Sequence, residues 1–452
     1  MTVRTRSKTN APLLTREHVE SLSAAKNEPA WLTEARLGAW ELYSLLPMPG
    51  LSLEEWRRSD YTTIRWDDAS AIQSLHTVSG AGAEAIPAEN LRPLIGDAQS
   101  GLIAAVDGRI VQHELDSALT KQGVIFTDLD TAVREHPDLI RHNLMTKAVT
   151  PGDGKFAALH AALWTHGVFL YVPKGRMVEV PLHSIFYNTG AGLTLGHVLV
   201  VVEEGAAVTF VHEYLSAPDV PTHMASVGMT ELLVGEGANL RYVALQDYAR
   251  NVYDFRHERA RVARDGQLDW VSGTMGAHFT KQFAEIELDG AGAYGRMSGL
   301  FFADTNQFMD HDTQQNHNAP HTTSDLLFKG ALKDEARCVW QGMIRAQPGA
   351  QKTNGFQANR NLVLSQSARA DSIPGLEILA DDLRCTHAAT ISRLEDEPVF
   401  YLESRGLPKR DAERLLVMGF FDPIMERIPF EEVRGRLSAH IEAKLLAVPE
   451  LA

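Results

Sequence analysis

A cysteine and a histidine two residues apart, Cys385 and His387, are the residues of this chain whose types best suit sulfur or metal chemistry. In a β-strand, residues two apart point to the same face, so these side chains are expected about 6 to 7 Å apart. A thiolate is a soft ligand and imidazole binds iron, so the pair could serve one metal ion or one neighbouring subunit. From spacing alone, the alternative is a cysteine packed as a small hydrophobe beside a histidine bonded to backbone.

A second group of possible ligands lies between Asp310 and His321, where three histidines and two aspartates occur within 12 residues. A metal site needs three or four ligands that converge on one point. The spacings of His311, His317 and His321 fit neither one strand face nor one helix turn throughout. We therefore interpret the segment, which also includes Asp312, as a polar layer of a β-structure and assign no ligand role to it.

The other cysteine, Cys338, lies in a strand-like run and is expected to be a buried core thiol. With two cysteines, the sequence has no disulfide framework and no C-x-x-C metal motif. It also contains no G-x-x-x-x-G-K-[ST] loop, no G-x-S-x-G and no H-E-x-x-H. We therefore expect that this chain does not hydrolyse ATP and is not itself an enzyme.

The formal net charge of -15 over 452 residues argues against nucleic acid or an anionic membrane as the main partner. Both would require clustered basic residues that displace counterions. The sequence has no window of 18 uninterrupted apolar residues, and its first residues lack the apolar core of a signal peptide. We expect a cytoplasmic protein whose partners are proteins or metal.

The N-terminal part of the chain is predicted to be helical at first and then mixed. Between residues 15 and 46, apolar residues recur at spacings of three and four, which places them on one helix face. These residues are Leu32, Ala35, Ala39, Leu42 and Leu46. Two prolines follow and end the helix. Residues 50–155 combine short apolar runs with Pro and Gly, which indicates a mixed α/β region.

Between about residues 196 and 393, the sequence predicts a succession of short strands without helices. Residues 240–244 alternate between apolar and other side chains, as strands do. Four turn signals stand 32, 29 and 24 residues apart, at Gly205, Gly237, Gly266 and Gly290. Units of this length favour a coiled β-architecture over a βαβ sheet, although their irregular spacing alone leaves a β-sandwich open.

Helical patterns return after about residue 393. Val433, Leu437, Ile441 and Leu445 recur every four residues and form one apolar stripe. Helices at the end of a coiled β-structure can cover an open end that would otherwise pair with strands of another chain. We predict a C-terminal helical region that forms such a cap.

Three segments between Gln351 and Gly406 resemble the SufD branch of the SufB/SufD family: QKTNGFQANRNLVLS, GLEILADDLRCTHAAT and FYLESRG. Residues 158–187 also resemble the family, and residues 28–49 do so more weakly. The resemblance implies iron–sulfur cluster assembly and a mainly β fold whose core is a right-handed parallel β-helix, or β-solenoid. It implies an N-terminal helical and mixed α/β region (1–155), a β-helix core (156–393) and a C-terminal helical region (394–452).

The resemblance also implies partners and site residues. It implies a non-catalytic scaffold that pairs with a SufB-like homologue through the β-helix and binds a SufC-like ABC ATPase through the C-terminal helices. It implicates His387 in cluster assembly at the contact with the homologue, as a candidate metal ligand, with Cys385 second. It implies no cofactor held tightly by this chain alone, and iron or a nascent iron–sulfur cluster in the complex.

Two alternatives stay open. A SufB-like scaffold could form a homodimer, but such chains usually have an acidic residue before this histidine and a cysteine several residues earlier. This sequence has Thr386 and Ile378 at those positions, which favours the SufD branch, although CTHAAT stands where many relatives have CSHGAT. A carbohydrate-active β-solenoid enzyme would use residues 310–321 with Asp381 and Asp382. The sequence has no recognisable acid/base pair for it.

Overall fold

The computed structural model describes residues 12–70, 82–92, 94, 100–190, 192–218, 222–428 and 430–447. Its helices are α1 (Arg16–Ala25), α2 (Ala30–Leu45), α3 (Trp66–Ala69), α4 (Ser117–Lys121), α5 (Leu129–Glu135), α6 (Pro137–Asn143), α7 (Lys155–Leu163), α8 (Asp396–Ser404), α9 (Lys409–Met425) and α10 (Glu431–Leu446). Its strands are β1 (Gly101–Val106), β2 (Arg109–Leu115), β3 (Ile125–Asp128), β4 (His166–Val172), β5 (Leu182–Asn188), β6 (Gly192–Thr194), β7 (Gly196–Val202), β8 (Ala207–Ser216), β9 (Met224–Val234), β10 (Asn239–Asp247), β11 (Val252–Val262), β12 (Gln267–Thr274), β13 (Phe279–Leu288), β14 (Tyr294–Ala303), β15 (Phe308–His317), β16 (Thr323–Leu332), β17 (Arg337–Ala346), β18 (Asn354–Val363), β19 (Arg369–Ile378) and β20 (Arg384–Arg393).

The strands form two sheets, and the chain alternates between them. The first sheet has the order β2-β1-β5-β8-β10-β12-β14-β16-β18-β20. The second has the order β19-β17-β15-β13-β11-β9-β7-β4-β3, with β6 beside β9. Successive strands of each sheet from β8 and β7 onward are parallel. The result is a β-solenoid of about eight turns, so the predicted β-helix is confirmed and the β-sandwich alternative is wrong.

A ladder of left-handed residues, one per coil, marks the repeat at one edge of the solenoid. The members with positive φ are Gly175, Gly205, Gly237, Asp265, Gly292, His321 and Lys352. Each donates its amide to the coil beyond, as Gly205 does to the carbonyl of Glu236 at 2.8 Å. Two of the glycines used as turn signals, Gly266 and Gly290, are neighbours of this position and not the position itself. Successive ladder residues lie about 30 residues apart, whereas the glycine turn signals are irregularly spaced.

The first of the N-terminal predictions needs one correction. Leu32 and Ala39 of α2 are buried as expected, but Ala35 is exposed and Arg36 is buried in its place. Burial of Arg36 is possible because its guanidinium pairs with Glu28 at 2.7 Å and lies over the ring of Trp164. A paired charged residue can therefore be buried on a helix face that hydrophobic periodicity predicts to be apolar.

The sheets bury their inner faces against each other and their outer faces against the helical regions. The interior contains a large apolar cluster that includes Trp270 and Trp340, together with buried polar side chains. The outer face of the second sheet packs against the N-terminal region, for example through Phe156 of α7, which stacks on Phe255 of β11 with ring centroids 4.1 Å apart. The N-terminal region thus covers the side of the solenoid and leaves its last coil uncovered.

The C-terminal helices are present, but they do not form the predicted cap. Val433, Leu437 and Ile441 of α10 are buried in a cluster with Val243 and Val271, which lie on the outer face of the first sheet. The apolar stripe is therefore used to cover a sheet face. Several coils present apolar residues on that face, and burial of apolar surface there stabilises the fold. The last coil stays open.

Candidate functional site

The last coil, formed by β19 and β20, carries the residues singled out in the sequence. β20 ends the first sheet and β19 ends the second. Nine residues of β20 are exposed and one is half-buried. A strand at a sheet edge presents N–H and C=O groups that can pair with a strand of another chain. The backbone N–H and C=O groups on the free edge of β20 are therefore available to pair with a strand of another chain.

Cys385 and His387 lie on the inner side of β20. Their register partners in β18 are Gly355 and Gln357, which are both buried. Thr386, between them, points to the opposite side because side chains alternate along a strand. With no further coil described beyond β20, His387 is exposed and Cys385 is half-buried. The cysteine and the histidine thus share the inner side of an open coil.

His317 also belongs to the surroundings of Cys385, which the spacing of residues within one strand did not indicate. A Cβ atom at Gly355 would lie 3.0 Å from the Cys385 sulfur and 3.3 Å from His317 Nε2, so thiol and imidazole flank the same glycine. Burial lowers the pKa of His317 to about 4, and the ring bonds to the hydroxyls of Thr322 and Ser324 at 2.8 and 2.9 Å. Burial also raises the pKa of Cys385. In the free chain, both groups are therefore neutral.

The other residues of the 310–321 segment are dispersed. His311 points into the interior and bonds to Gln282 at 2.8 Å, whereas Asp310 lies on the outer face and pairs with Lys281 at 2.9 Å. His321 is an exposed residue of the turn ladder. Within the described residues, no three His, Cys, Asp or Glu side chains are grouped so that they could hold a metal ion. The segment forms β15 and the turn after it, with polar side chains on both faces of the strand, and the interpretation that it has no ligand role stays a prediction.

Hydrogen-bonded amides line the inner side of the coil below the site. Asn361 Nδ2 donates to Asn359 Oδ1 at 2.6 Å and to Ser372 Oγ at 3.0 Å. Gln357, the register partner of His387, donates to the carbonyl of Gly375 at 2.9 Å. These bonds tie β18 to β19. They hold β18, the strand that pairs with β20, in place. The side chains concerned are neutral amides, which are poorer metal ligands than thiolate or imidazole.

Three apolar side chains of the last coil are exposed although they occupy inner positions. Leu376 and Ile378 of β19 are 38% and 39% exposed and lie in register with Ile344 and Ala346. Ile391 of β20 is 50% exposed. These residues, the open-coil apolar set, continue the core of the solenoid into a layer that nothing in the described chain covers. Exposed apolar groups in one patch mark an interaction surface.

A second exposed apolar surface lies on the C-terminal helices. Phe400 and Tyr401 of α8, the α8 aromatic pair, are 70% and 55% exposed. Leu407 and Leu415 are exposed close to them in sequence, before and within α9. Large aromatic side chains are common anchors of protein interfaces. This surface lies on a helical region, distinct from the open-coil apolar set.

Cys338 lies on the inner face of β17 and is fully buried. Burial is the main cause that raises its pKa far above the ordinary value of a thiol, so the group is a neutral thiol. It packs in the apolar core between the sheets. The expectation of a core thiol is confirmed.

Two family models together match most of the chain. The model described as SufBD protein N-terminal region matches residues 14–183, and the SUF system FeS cluster assembly, SufBD core domain, matches residues 185–420. The chain belongs to the SufB/SufD family of iron–sulfur cluster assembly proteins. Relatives from Staphylococcus epidermidis, Staphylococcus haemolyticus and Staphylococcus aureus are each 30% identical over 430 residues, which is 92% of this chain and 90% of theirs. They are named iron–sulfur cluster assembly SufBD family proteins.

The family match agrees with the regions seen in this SufB/SufD-family protein. The core match begins within β5 and continues into α9, so it includes the last coil and its Cys385 and His387. The N-terminal match includes α1 to α7. Among the described helices, none is both long enough and apolar enough to cross a membrane.

Proposed function

We propose that this chain is a non-catalytic, SufD-like scaffold subunit of a cytoplasmic SufBCD-type complex. The observation that supports the proposal is the open last coil. There, His387 and Cys385 lie on the inner side of β20, beside the open-coil apolar set. Two side chains are too few for a metal site. A partner that supplied the next layer of strands would both cover the apolar set and bring further ligands to the same face.

The partner that fits this end is a homologous β-helix. Edge strands of parallel coils offer backbone groups at a fixed spacing, which another β-structure can match. The open-coil apolar set would become core when covered. Thr386 and Ile378, at positions where SufB-like chains usually have an acidic residue and a cysteine, support a SufD-like role that pairs with a SufB-like homologue. In isolation, the same end can pair with a second copy, which gives a homodimer.

His387 is proposed as a metal ligand or proton-handling residue at this contact. It is exposed and lies on the inner side of β20, where a partner would cover it. Iron or a nascent cluster would then be the cargo of the complex, held between the two chains. Cys385 is proposed as a neighbour of second rank, because burial keeps its thiol neutral in the free chain.

The carbohydrate-enzyme alternative has little support in the geometry. Asp310 is buried in an ion pair with Lys281, and Asp382 pairs with Lys352 at the turn edge. The carboxylates of these two residues are thus engaged with lysines in different places. General acid/base hydrolysis of a glycoside needs two carboxyl groups that flank one bond.

The proposed ATPase contact is tested by substitution of the α8 aromatic pair. Phe400→Asp with Tyr401→Asp is expected to weaken capture of a co-expressed SufC-like ATPase at least about 30-fold, because anchor residues contribute about 2 kcal/mol or more. Pull-down and titration measure the effect. The chain should stay folded, since both side chains are exposed.

Leu45→Asp, a substitution of an exposed apolar residue in the N-terminal region, is the matched control and should leave ATPase capture unchanged. Undiminished capture by the α8 double variant would contradict the proposed contact. Deletion of all C-terminal helices is a poorer test, because it uncovers Val243 and Val271 on the outer sheet face.

A further inference from the structure

The last coil has two free sheet edges, and they differ in their ability to accept a strand from another chain. β19 is the last strand of the second sheet and β20 is the last strand of the first. In a parallel ladder, every second residue turns its N–H and C=O groups to the neighbouring strand, and the residues between turn both groups to the other side. The hydrogen bonds at the strand ends therefore identify which residues face each free edge.

In β19, the even-numbered residues face the free edge. The amide of Arg369 donates to the carbonyl of Ala336 at 3.0 Å. The amide of Leu379, ten residues later, donates to the carbonyl of Ala346 at 2.9 Å. Odd-numbered residues of β19 therefore bond to β17. The residues whose backbone groups face the free edge are Ala370, Ser372, Pro374, Leu376 and Ile378.

Pro374, at the centre of this edge, has no amide hydrogen. Its nitrogen faces away from β17, so the proline removes no hydrogen bond from the fold. A strand added to β19 would lack a donor at this position and would meet the pyrrolidine ring. In addition, β19 carries the charged residues Asp371 and Glu377, and seven of its ten residues are half-buried. The edge of β19 is therefore blocked in its middle.

In β20, the odd-numbered residues face the free edge. The amide of Arg384 donates to the carbonyl of Thr353 at 2.8 Å, so even-numbered residues bond to β18. Between Arg384 and Arg393, the strand has no proline, lysine, arginine, aspartate or glutamate, the residues that protect an edge from pairing. β20 is thus an unprotected edge. The residues that present backbone groups to it are Cys385, His387, Ala389, Ile391 and Arg393.

We infer that the partner homologue adds an edge strand to β20 alone, and that Pro374 keeps β19 out of the backbone ladder between the two chains. The first sheet then continues from one chain into the other, and the second sheet is interrupted at the junction. β19 contacts the partner through side chains, including Leu376 and Ile378 of the open-coil apolar set. This inference rests on the proposed function, because the occupant of the edge is the SufB-like homologue.

The arrangement also places the partner's strand beside the candidate site. Cys385 and His387 are themselves edge-facing residues of β20, so their backbone groups bond directly to the added strand. Opposite residues of paired strands have Cβ atoms about 5 Å apart. A ligand on the partner's strand would therefore lie next to His387 without any bond between the partner and the backbone of β19.

Two matched alanine-to-proline substitutions test the inference. Ala389→Pro removes an edge-facing amide from the middle of β20, and Ala370→Pro removes one from β19. Neither amide faces the neighbouring strand of its own chain, so both variants should fold. Ala389→Pro should lower the affinity for the purified SufB-like homologue at least about tenfold, because it removes a hydrogen bond and obstructs the ladder. Ala370→Pro should leave the affinity within about twofold of the wild-type value.

Hydrogen exchange of the wild-type complex, resolved to single residues, gives a reading that needs no variant to fold. In the free chain, the edge-facing amides of both strands should exchange rapidly. In the complex, the amides of Cys385, His387 and Ala389 should become protected. The amides of Ser372 and Leu376 should remain the faster-exchanging set.

Equal losses of affinity in the two proline variants would overturn the inference, as would equal protection of the two strands in the wild-type complex. Undiminished affinity of a folded Ala389→Pro variant would also overturn it. Each of these results leaves the proposed pairing in place, since a complex has formed. Failure of the wild-type chain to form any complex with the homologue is a different result, which would overturn the proposed function and the inference with it.

Discussion

Replacing Ile391 by lysine is expected to abolish stable pairing with a SufB-like homologue while leaving the isolated chain folded. Ile391 is 50% exposed at an inner position of β20, so a lysine there meets water in the free chain. On pairing, its ammonium would be buried in the extended core without a partner. The affinity should fall at least about 30-fold, equivalent to about 2 kcal/mol, in a titration with the purified homologue.

Leu51→Lys, an exposed leucine in the N-terminal region, is the matched control for this substitution. It should change neither the melting temperature nor the affinity for the homologue. If Ile391→Lys pairs as tightly as the wild-type chain, the open-coil apolar set is not the pairing surface.

Replacing His387 by alanine should leave complex formation intact but reduce the accumulated iron and sulfide at least about tenfold, the size of effect seen when a metal's ligand environment is disrupted. The folded chain should be unaffected within about 0.5 kcal/mol, because the side chain is exposed. The measurement is iron and acid-labile sulfide per purified complex, with thermal unfolding in parallel.

Two neighbours provide controls for this variant. Thr386→Ala changes the opposite face of the same strand and should give normal cluster content. Cys385→Ser should cost at most about 1–3 kcal/mol of stability and give near-normal cluster content, if the thiol is a neutral filler. Should His387→Ala instead unfold the protein while cluster content per folded complex is unchanged, His387 is a structural residue.

Much of the core could be predicted because its signals are local. Short strands with turn residues between them predicted the coiled β-architecture, and the described residues between 196 and 393 form strands and turns without a helix. The length of the repeat was harder to predict from the sequence. Left-handed backbone is required once per coil, but the chain meets this requirement with aspartate, histidine or lysine as well as glycine, at Asp265, His321 and Lys352. Counting glycines therefore gives an irregular period.

Which face of a strand points inward could not be read where the inner side carries charges and the outer side carries aromatic residues. In β11, the inner side carries Asp254, Arg256 and Glu258, with Arg256 Nε 2.9 Å from Asp254 and Nη1 3.6 Å from Glu258. These charges are tolerated in the interior because they lie side by side. Hydrophobic alternation cannot predict such a network of buried charges, because the partners of each charge depend on packing.

The candidate site was predictable only in part. Alternation along a strand correctly placed Cys385 and His387 on one side of β20. The proximity of His317 to Cys385 depends on strand register between separate coils and on the absence of a side chain at Gly355. The predicted cap failed for a similar reason, because an apolar stripe does not specify which apolar surface it covers.

Hydrogen exchange of β20 tests the central claim most directly, namely that the open last coil is the surface on which a homologue completes the site. The amides of β20 that face away from β18 are at the sheet edge, so they should exchange rapidly in the free chain. Addition of the SufB-like homologue should slow exchange across residues 384–393 and leave α8 unchanged. Unchanged exchange in β20 of a fully formed complex would contradict the account.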